Sequence, residues 1–132
     1  MLDFLKKWWP SLITVSVVLY ATLSPNPIGD TKIMWFKGYD KLIHAIMMGG
    51  VVAALIFDRR RSGINLTRLF ICVSTLSVIV FSGIDEYIQH ILTPNRSSDF
   101  FDFIANCVGC IIAAFTAPPV VNRIFRSKKT HL

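Results

Sequence analysis

Between Gly83 and Gly109 the chain concentrates side chains that can hold a charge or move a proton. The run Gly83-Ile84-Asp85-Glu86-Tyr87-Ile88-Gln89-His90 is followed by Thr93-Pro94-Asn95, then by Arg96-Ser97-Ser98-Asp99-Phe100-Phe101-Asp102, Asn106 and Gly109. Four acids, an arginine, a histidine and three amides thus stand in and between two long apolar runs. Earlier in the chain, Lys41 and His44 lie three residues apart at the start of another such run. Ionisable groups at a membrane boundary are expensive, so they are by default a functional-site hypothesis. Lys41, Arg96 and a protonated His44 can hold an anionic head group by charge-assisted bonds, with Gln89, Asp99 and Asn106 completing the recognition. Glu86, Asp99 or Asp102 can act as general base once burial raises its affinity for protons, and His44 suits acid–base work. Catalysis is thereby assigned to Glu86, Asp102 and His44, and ligand binding to Lys41, Gln89, Arg96, Asp99 and Asn106. The carboxylates, helped by Gln89 and Asn106, are also candidate oxygen ligands for Mg²⁺ or Ca²⁺. Zinc fits less well, because only His44 and His90 offer nitrogen nearby.

The elements that must position these groups are helices. Four segments lack Asp, Glu, Lys and Arg: Trp8 to Gly29, Leu42 to Phe57, Leu69 to Ile84, and Phe103 to Asn122, of 22, 16, 16 and 20 residues. A helix crossing the hydrocarbon needs about 20 residues. The two 16-residue segments must therefore draw flanking charge, such as Lys41, Asp58, Asp85 and Glu86, toward the bilayer. The reading is all-α: an integral membrane four-helix bundle forming one domain over 1–132. Its helices run roughly over 8–24, 40–57, 66–90 and 99–117, with a basic tail at 122–132. Pro10 falls in a first turn, where its missing N–H costs little. Asp40 and Asn65 are the expected N-caps of the second and third helices, and Pro118-Pro119 the expected stop of the fourth. The N-terminal run lacks a clean small-x-small site and is read as a retained helix rather than a cleaved signal. Gly49-Gly50, with Ala53 and Ala54, permits close helix approach and offers a face for dimerisation.

At 132 residues and 53% hydrophobic, the chain is too apolar for an ordinary soluble domain of its size. Its net charge of +6 does not point to nucleic acid, because the basic residues sit between the apolar runs. Ten of the 14 Lys and Arg fall at the N-terminus, at 58–68 and after Asn122. The positive-inside rule then puts both termini in the cytoplasm and the acid-rich cluster outside. Three cysteines without framework spacing argue against a disulfide-stapled secreted domain. Cys107 and Cys110 have C-x-x-C spacing, but no second Cys or His pair accompanies them, so they read as packing residues.

Helical spacing decides which groups meet. Asp99, Asp102, Asn106, Gly109 and Ala113 form one stripe, Glu86 and Gln89 share a face with Ser82, and Lys41 shares one with His44. Asp85 and His90 lie about 100° from Glu86 and Gln89 and are expected outside the site. The same residues also fit structural roles. Asp99 and Asp102 form a capping arrangement, Glu86 with Lys41 or Arg96 a helix-end salt bridge, and Asn106 a bundle-stabilising hydrogen bond. A proton or ion pathway fits least, because the polar groups gather at one end.

Lys41-x-x-His44, Gly83-x-x-Glu86-x-x-Gln89, Arg96-x-x-Asp99-x-x-Asp102 and Asn106-x-x-Gly109 resemble the pattern of the VanZ-like membrane proteins, as does Leu23-Ser24-Pro25. Two departures stand out: Ala45, Ile46, Met47 and Met48 where the family usually has aromatic residues, and Ala113 where it often has a second glycine. The resemblance implies a multi-pass protein of the bacterial cytoplasmic membrane, whose namesake is linked to resistance to the glycopeptide teicoplanin. It leaves the molecular activity unresolved. Two readings result. The outward-facing cluster binds or processes an anionic lipid or lipid-linked cell-envelope precursor, or it braces helix ends and binds a protein partner without catalysis.

Overall fold

The structure is a computed structural model, and it describes residues 2–24, 38–92 and 100–127. Among these it is wholly helical, with α1 Leu2–Leu23, α2 Tyr39–Arg61, α3 Arg68–Leu92 and α4 Phe100–Ser127. Three helices, α2, α3 and α4, are long and apolar enough to cross a membrane. Their lengths of 23, 25 and 28 residues correspond to about 35 to 42 Å of helix, beyond the ~30 Å hydrocarbon core. The ends carrying Asp40, Lys41, Glu86, Gln89 and Asp102 therefore extend the apolar segments rather than lie in separate loops. The expected shortfall of the apolar runs is met by continuing the helix through the charged residues.

Side-chain bonds fix the topology. Ser11 in the first half of α1 meets Asp58 near the end of α2. Thr22 at the end of α1 meets Asp85 near the end of α3. Lys41 at the start of α2 meets Asp102 at the start of α4. The helices thus alternate in direction, and α2 lies parallel to α4. These two make the most intimate pair in the bundle. A Cβ on Gly109 would run into the carbonyl oxygen of Ala45, and one on Gly49 would lie 2.8 Å from the carbonyl oxygen of Gly109. Small residues let helix backbones approach where lipid provides no hydrophobic drive to associate. Gly49 is consequently spent inside the bundle, while Gly50 approaches only Thr14 at 4.0 Å. The expected Gly49-Gly50 dimer face is therefore an internal contact. Around it, Met48, Val52, Ile56, Cys110, Ala113 and Val121 form the buried core. Leu76, Val80, Ile112 and Phe115 remain exposed on the outside, the surface a bilayer would cover.

Several boundaries differ from the sequence expectation. Helix α1 starts at Leu2, so Pro10 lies inside it rather than in its first turn. Gly38, at φ 91°, precedes α2 as its N-cap, which places Asp40 within the first turn. The cap of α3 is Thr67, whose Oγ1 accepts from Phe70 N at 3.2 Å. Asn65 instead supplies its backbone oxygen to Arg59 Nε at 3.0 Å. Pro118 and Pro119 do not stop α4. Their missing N–H groups are tolerated because the flanking turns are anchored to α2. Ala117 and Val121 are buried, Phe125 packs on Phe57 with ring centroids 5.5 Å apart, and Arg60 donates to Asn122 Oδ1 at 3.0 Å.

Candidate functional site

At one end of the bundle, polar side chains from all four helices converge. On α3, Ser82, Asp85, Glu86 and Gln89 follow an i, i+3, i+4, i+7 pattern, and all four are buried. Positions i+3 and i+4 straddle one line of a helix. Asp85 accordingly turns to α1, where Thr22 Oγ1 donates to its Oδ1 at 3.0 Å. Glu86 turns to α2 and α4. Its Oε1 accepts from Asn106 Nδ2 at 3.2 Å and stands 3.4 Å from His44 Nδ1. Gln89 Nε2, one turn on, donates to Asp85 Oδ2 at 3.2 Å. Asp102 Oδ1 lies 3.2 Å from Lys41 Nζ, which also reaches Asp40 Oδ2 at 3.4 Å.

Burial grades across the group. His44, Asp85, Glu86, Gln89 and Asn106 are buried, whereas the Lys41 side chain is 36% exposed and forms the rim. Buried amides and carboxylates such as these are tolerated only when bonded. That requirement explains why Thr22, Gln89 and Asn106 direct donors at them. Asn106 is completely buried, and its Oδ1 makes no hydrogen bond. His44 Nδ1 makes no hydrogen bond to Glu86; at 3.4 Å the two attract as an ion pair when the imidazole is protonated. Asp102 sits against an ammonium and is better placed to hold Lys41 than to serve as a base.

Of the residues expected in the site, Lys41, His44, Glu86, Gln89, Asp102 and Asn106 are brought together. Arg96 and Asp99 lie outside the described residues. Asp85 was expected to point away and instead belongs to the cluster, because the inward line of α3 passes between Asp85 and Glu86. The signal lay in Ser82, which stands three residues before Asp85, four before Glu86 and seven before Gln89. Thr22 carried no comparable signal, since only the packing of α1 on α3 gives it a partner. Among the described residues, no three His, Cys, Asp or Glu side chains are grouped to hold a metal ion. Accommodating Mg²⁺ or Ca²⁺ here would require carboxylates to exchange protein donors for the cation. Cys110 is buried between the helices and Cys107 is partly buried.

A second buried polar group lies at the opposite end. Asp58, with no exposed surface, accepts from Ser11 N at 2.9 Å and from Ser11 Oγ at 2.6 Å. Arg61 Nε lies 3.6 Å from Asp58 Oδ1, and Arg61 Nη2 donates to the carbonyl oxygens of Lys6 and Lys7 at 2.8 and 2.9 Å. Pro10 has no N–H for the Lys6 carbonyl four residues back. Arg61 supplies the missing donor. Ser11 N–H, which in an unbroken helix serves Lys7, is taken up by Asp58. This arrangement repairs a backbone break and joins α1 to α2.

Residues 3–125 match the family model described as VanZ/LLP1. No curated protein and no solved structure matches the chain.

Proposed function

Because the chain belongs to the VanZ/LLP1 family, and because its polar residues gather at one membrane boundary, we propose that it binds and processes the head group of an anionic lipid or lipid-linked cell-envelope precursor. The observation that carries this reading is the meeting of His44, Glu86 and Asn106, drawn from three helices into a buried network beneath a half-exposed lysine. Lys41, at the rim, engages phosphate, and Arg96 supplies a further cationic contact. His44, beside Glu86, exchanges a proton with the bound head group. The protein lies in a bacterial cytoplasmic membrane, with both termini cytoplasmic and the cluster outward. Arg59, Arg60 and Arg61 at the far end of α2, and Lys6 and Lys7 beside them, support that orientation through the positive-inside rule. A reporter active only in the cytoplasm, fused after Leu132, will be active. A well-expressed but inactive fusion would reverse the orientation.

The binding test is native mass spectrometry of the full chain, extracted with its lipids, against a Lys41→Ala/Arg96→Ala variant. Wild type will retain a selected phosphate-bearing lipid, and the variant will lose it by about tenfold, the effect of one strong charged contact. If wild type retains no lipid selectively, the head-group reading fails. A second reading, a non-catalytic brace for the helix ends, is favoured by the inter-helix bonds Lys41–Asp102, His44–Glu86 and Thr22–Asp85. It predicts that Glu86→Gln and His44→Gln lower the melting temperature with no change in retained lipid.

A further inference from the structure

The direction of the hydrogen bonds in the cluster bears on what kind of head group it takes. In the bonds described here Asp85, Glu86 and Asp102 all act as acceptors. Most of the side-chain donors described around them end on those carboxylates or on Asp40; Thr22 also reaches the Leu19 carbonyl oxygen at 3.3 Å, and His44 Nδ1, 3.4 Å from Glu86 Oε1, makes no hydrogen bond. Thr22 and Gln89 donate to Asp85, Asn106 to Glu86, and Lys41 to Asp102 and Asp40. Asn106 adds a buried acceptor, its Oδ1, which makes no hydrogen bond. The amide cannot turn over to hide it, because that would set Oδ1 against the Glu86 carboxylate. An unmet buried acceptor is stabilised by a donor brought from outside.

We infer that the head group is recognised through hydrogen-bond donors that it carries, hydroxyl or ammonium, rather than through its phosphate alone. The inference rests on the head-group reading above and specifies its ligand. Phosphate oxygens are acceptors, and a bare phosphate brought among three carboxylates meets like charge. A glycerol or sugar hydroxyl meets Asn106 Oδ1 and the carboxylates as a donor. An ammonium does the same and adds opposite charge. In either case the phosphate stays outward, beside Lys41.

The test is a competition by native mass spectrometry among three lipids with identical acyl chains: phosphatidylglycerol for hydroxyl, phosphatidylethanolamine for ammonium, and phosphatidic acid for phosphate alone. Wild type will retain one of the first two over phosphatidic acid by about tenfold, the effect of one or two buried hydrogen bonds. Whichever of the two is retained identifies the donor; retention of phosphatidylethanolamine, which has no net charge, would change the head-group reading from anionic to phosphate-bearing. Asn106→Leu will reduce that preference several-fold. Should Asn106→Leu fail to fold, the wild-type ranking still decides. Retention of phosphatidic acid equal to or above the other two overturns this inference and leaves the head-group reading standing. Loss of selectivity against all three lipids overturns both. A preference unchanged in a folded Asn106→Leu protein also overturns it.

Discussion

The two ends of the bundle each bury a carboxylate-centred network, yet they are built differently. At the basic end, Asp58 and Arg61 spend most of their bonds on backbone, Ser11 N–H and the carbonyls of Lys6 and Lys7, with the Ser11 hydroxyl as a side-chain partner of Asp58. The network there fills the gap left by Pro10 and is accounted for by helix repair. At the cluster end, side chains bond side chains. Glu86 meets His44 and Asn106, Asp85 meets Thr22 and Gln89, and Asp102 meets Lys41. The bonds described there repair no helix break. Both ends keep buried polar atoms without a hydrogen bond, but Asp58 Oδ1 and Arg61 Nε at the basic end face each other as opposite charges at 3.6 Å, whereas Asn106 Oδ1 is a neutral acceptor. Buried polarity that completes the backbone is structural by its own geometry. Buried polarity beyond that need is where a ligand is to be sought.

Breaking this contrast should produce its largest effect at the basic end. Asp58→Ala leaves Ser11 N–H without its acceptor and Arg61 without its counter-charge, and costs about 3 kcal/mol, as for one lost partner of a buried pair. Thermal unfolding in detergent will show the loss, while the lipids retained by the surviving folded protein stay the same. A shift in lipid preference would mean that the basic end also belongs to the site. Next comes Gly109→Ala, which drives a methyl group into the Ala45 carbonyl and costs about 2 kcal/mol by overpacking. Because Asn106 and His44 stand one turn or less from that contact, lipid retention should fall with the melting temperature. Unchanged stability would show that α2 and α4 can separate freely there. The smallest stability effect is expected from Glu86→Gln, which keeps the side chain's shape and an acceptor for Asn106. It should cost about 1 kcal/mol. Processing of a bound head group, measured by product formation, should nevertheless be abolished if Glu86 acts with His44. A variant that melts several degrees lower yet keeps full turnover would assign Glu86 to the brace.

Much of the cluster was legible because helical spacing is set by local geometry. Lys41 with His44, Glu86 with Gln89, and Asp102 with Asn106 and Gly109 each share a face at three- or four-residue intervals, and alternation of the helices puts those faces at one end. Asp85 was misplaced by judging it only against the line through Glu86 and Gln89. A helix buried between three neighbours presents more than one face, so residues i+3 and i+4 both turn inward to different partners. Pro10, Pro118 and Pro119 misled for another reason. A proline tends to end a helix when its lost hydrogen bond goes unanswered, but here tertiary contacts answer it, through Arg61 at one site and anchoring of α4 on α2 at the other.

By itself, the sequence determined the class of this protein. Runs of apolar residues about as long as a bilayer is thick can satisfy their backbone only as helices, and the charges between them mark the ends. It also determined which side chains share a helix face. Which faces meet was decided only in three dimensions. The parallel contact of α2 with α4 at Gly49, Ala45 and Gly109 sets His44 against Glu86 and Asn106, and the seating of α1 gives Asp85 and Asp58 their hydroxyl partners. Those pairings span from 20 to 63 positions of chain. Helical periodicity fixes directions around a single axis and carries no information about a second axis; only packing supplies that.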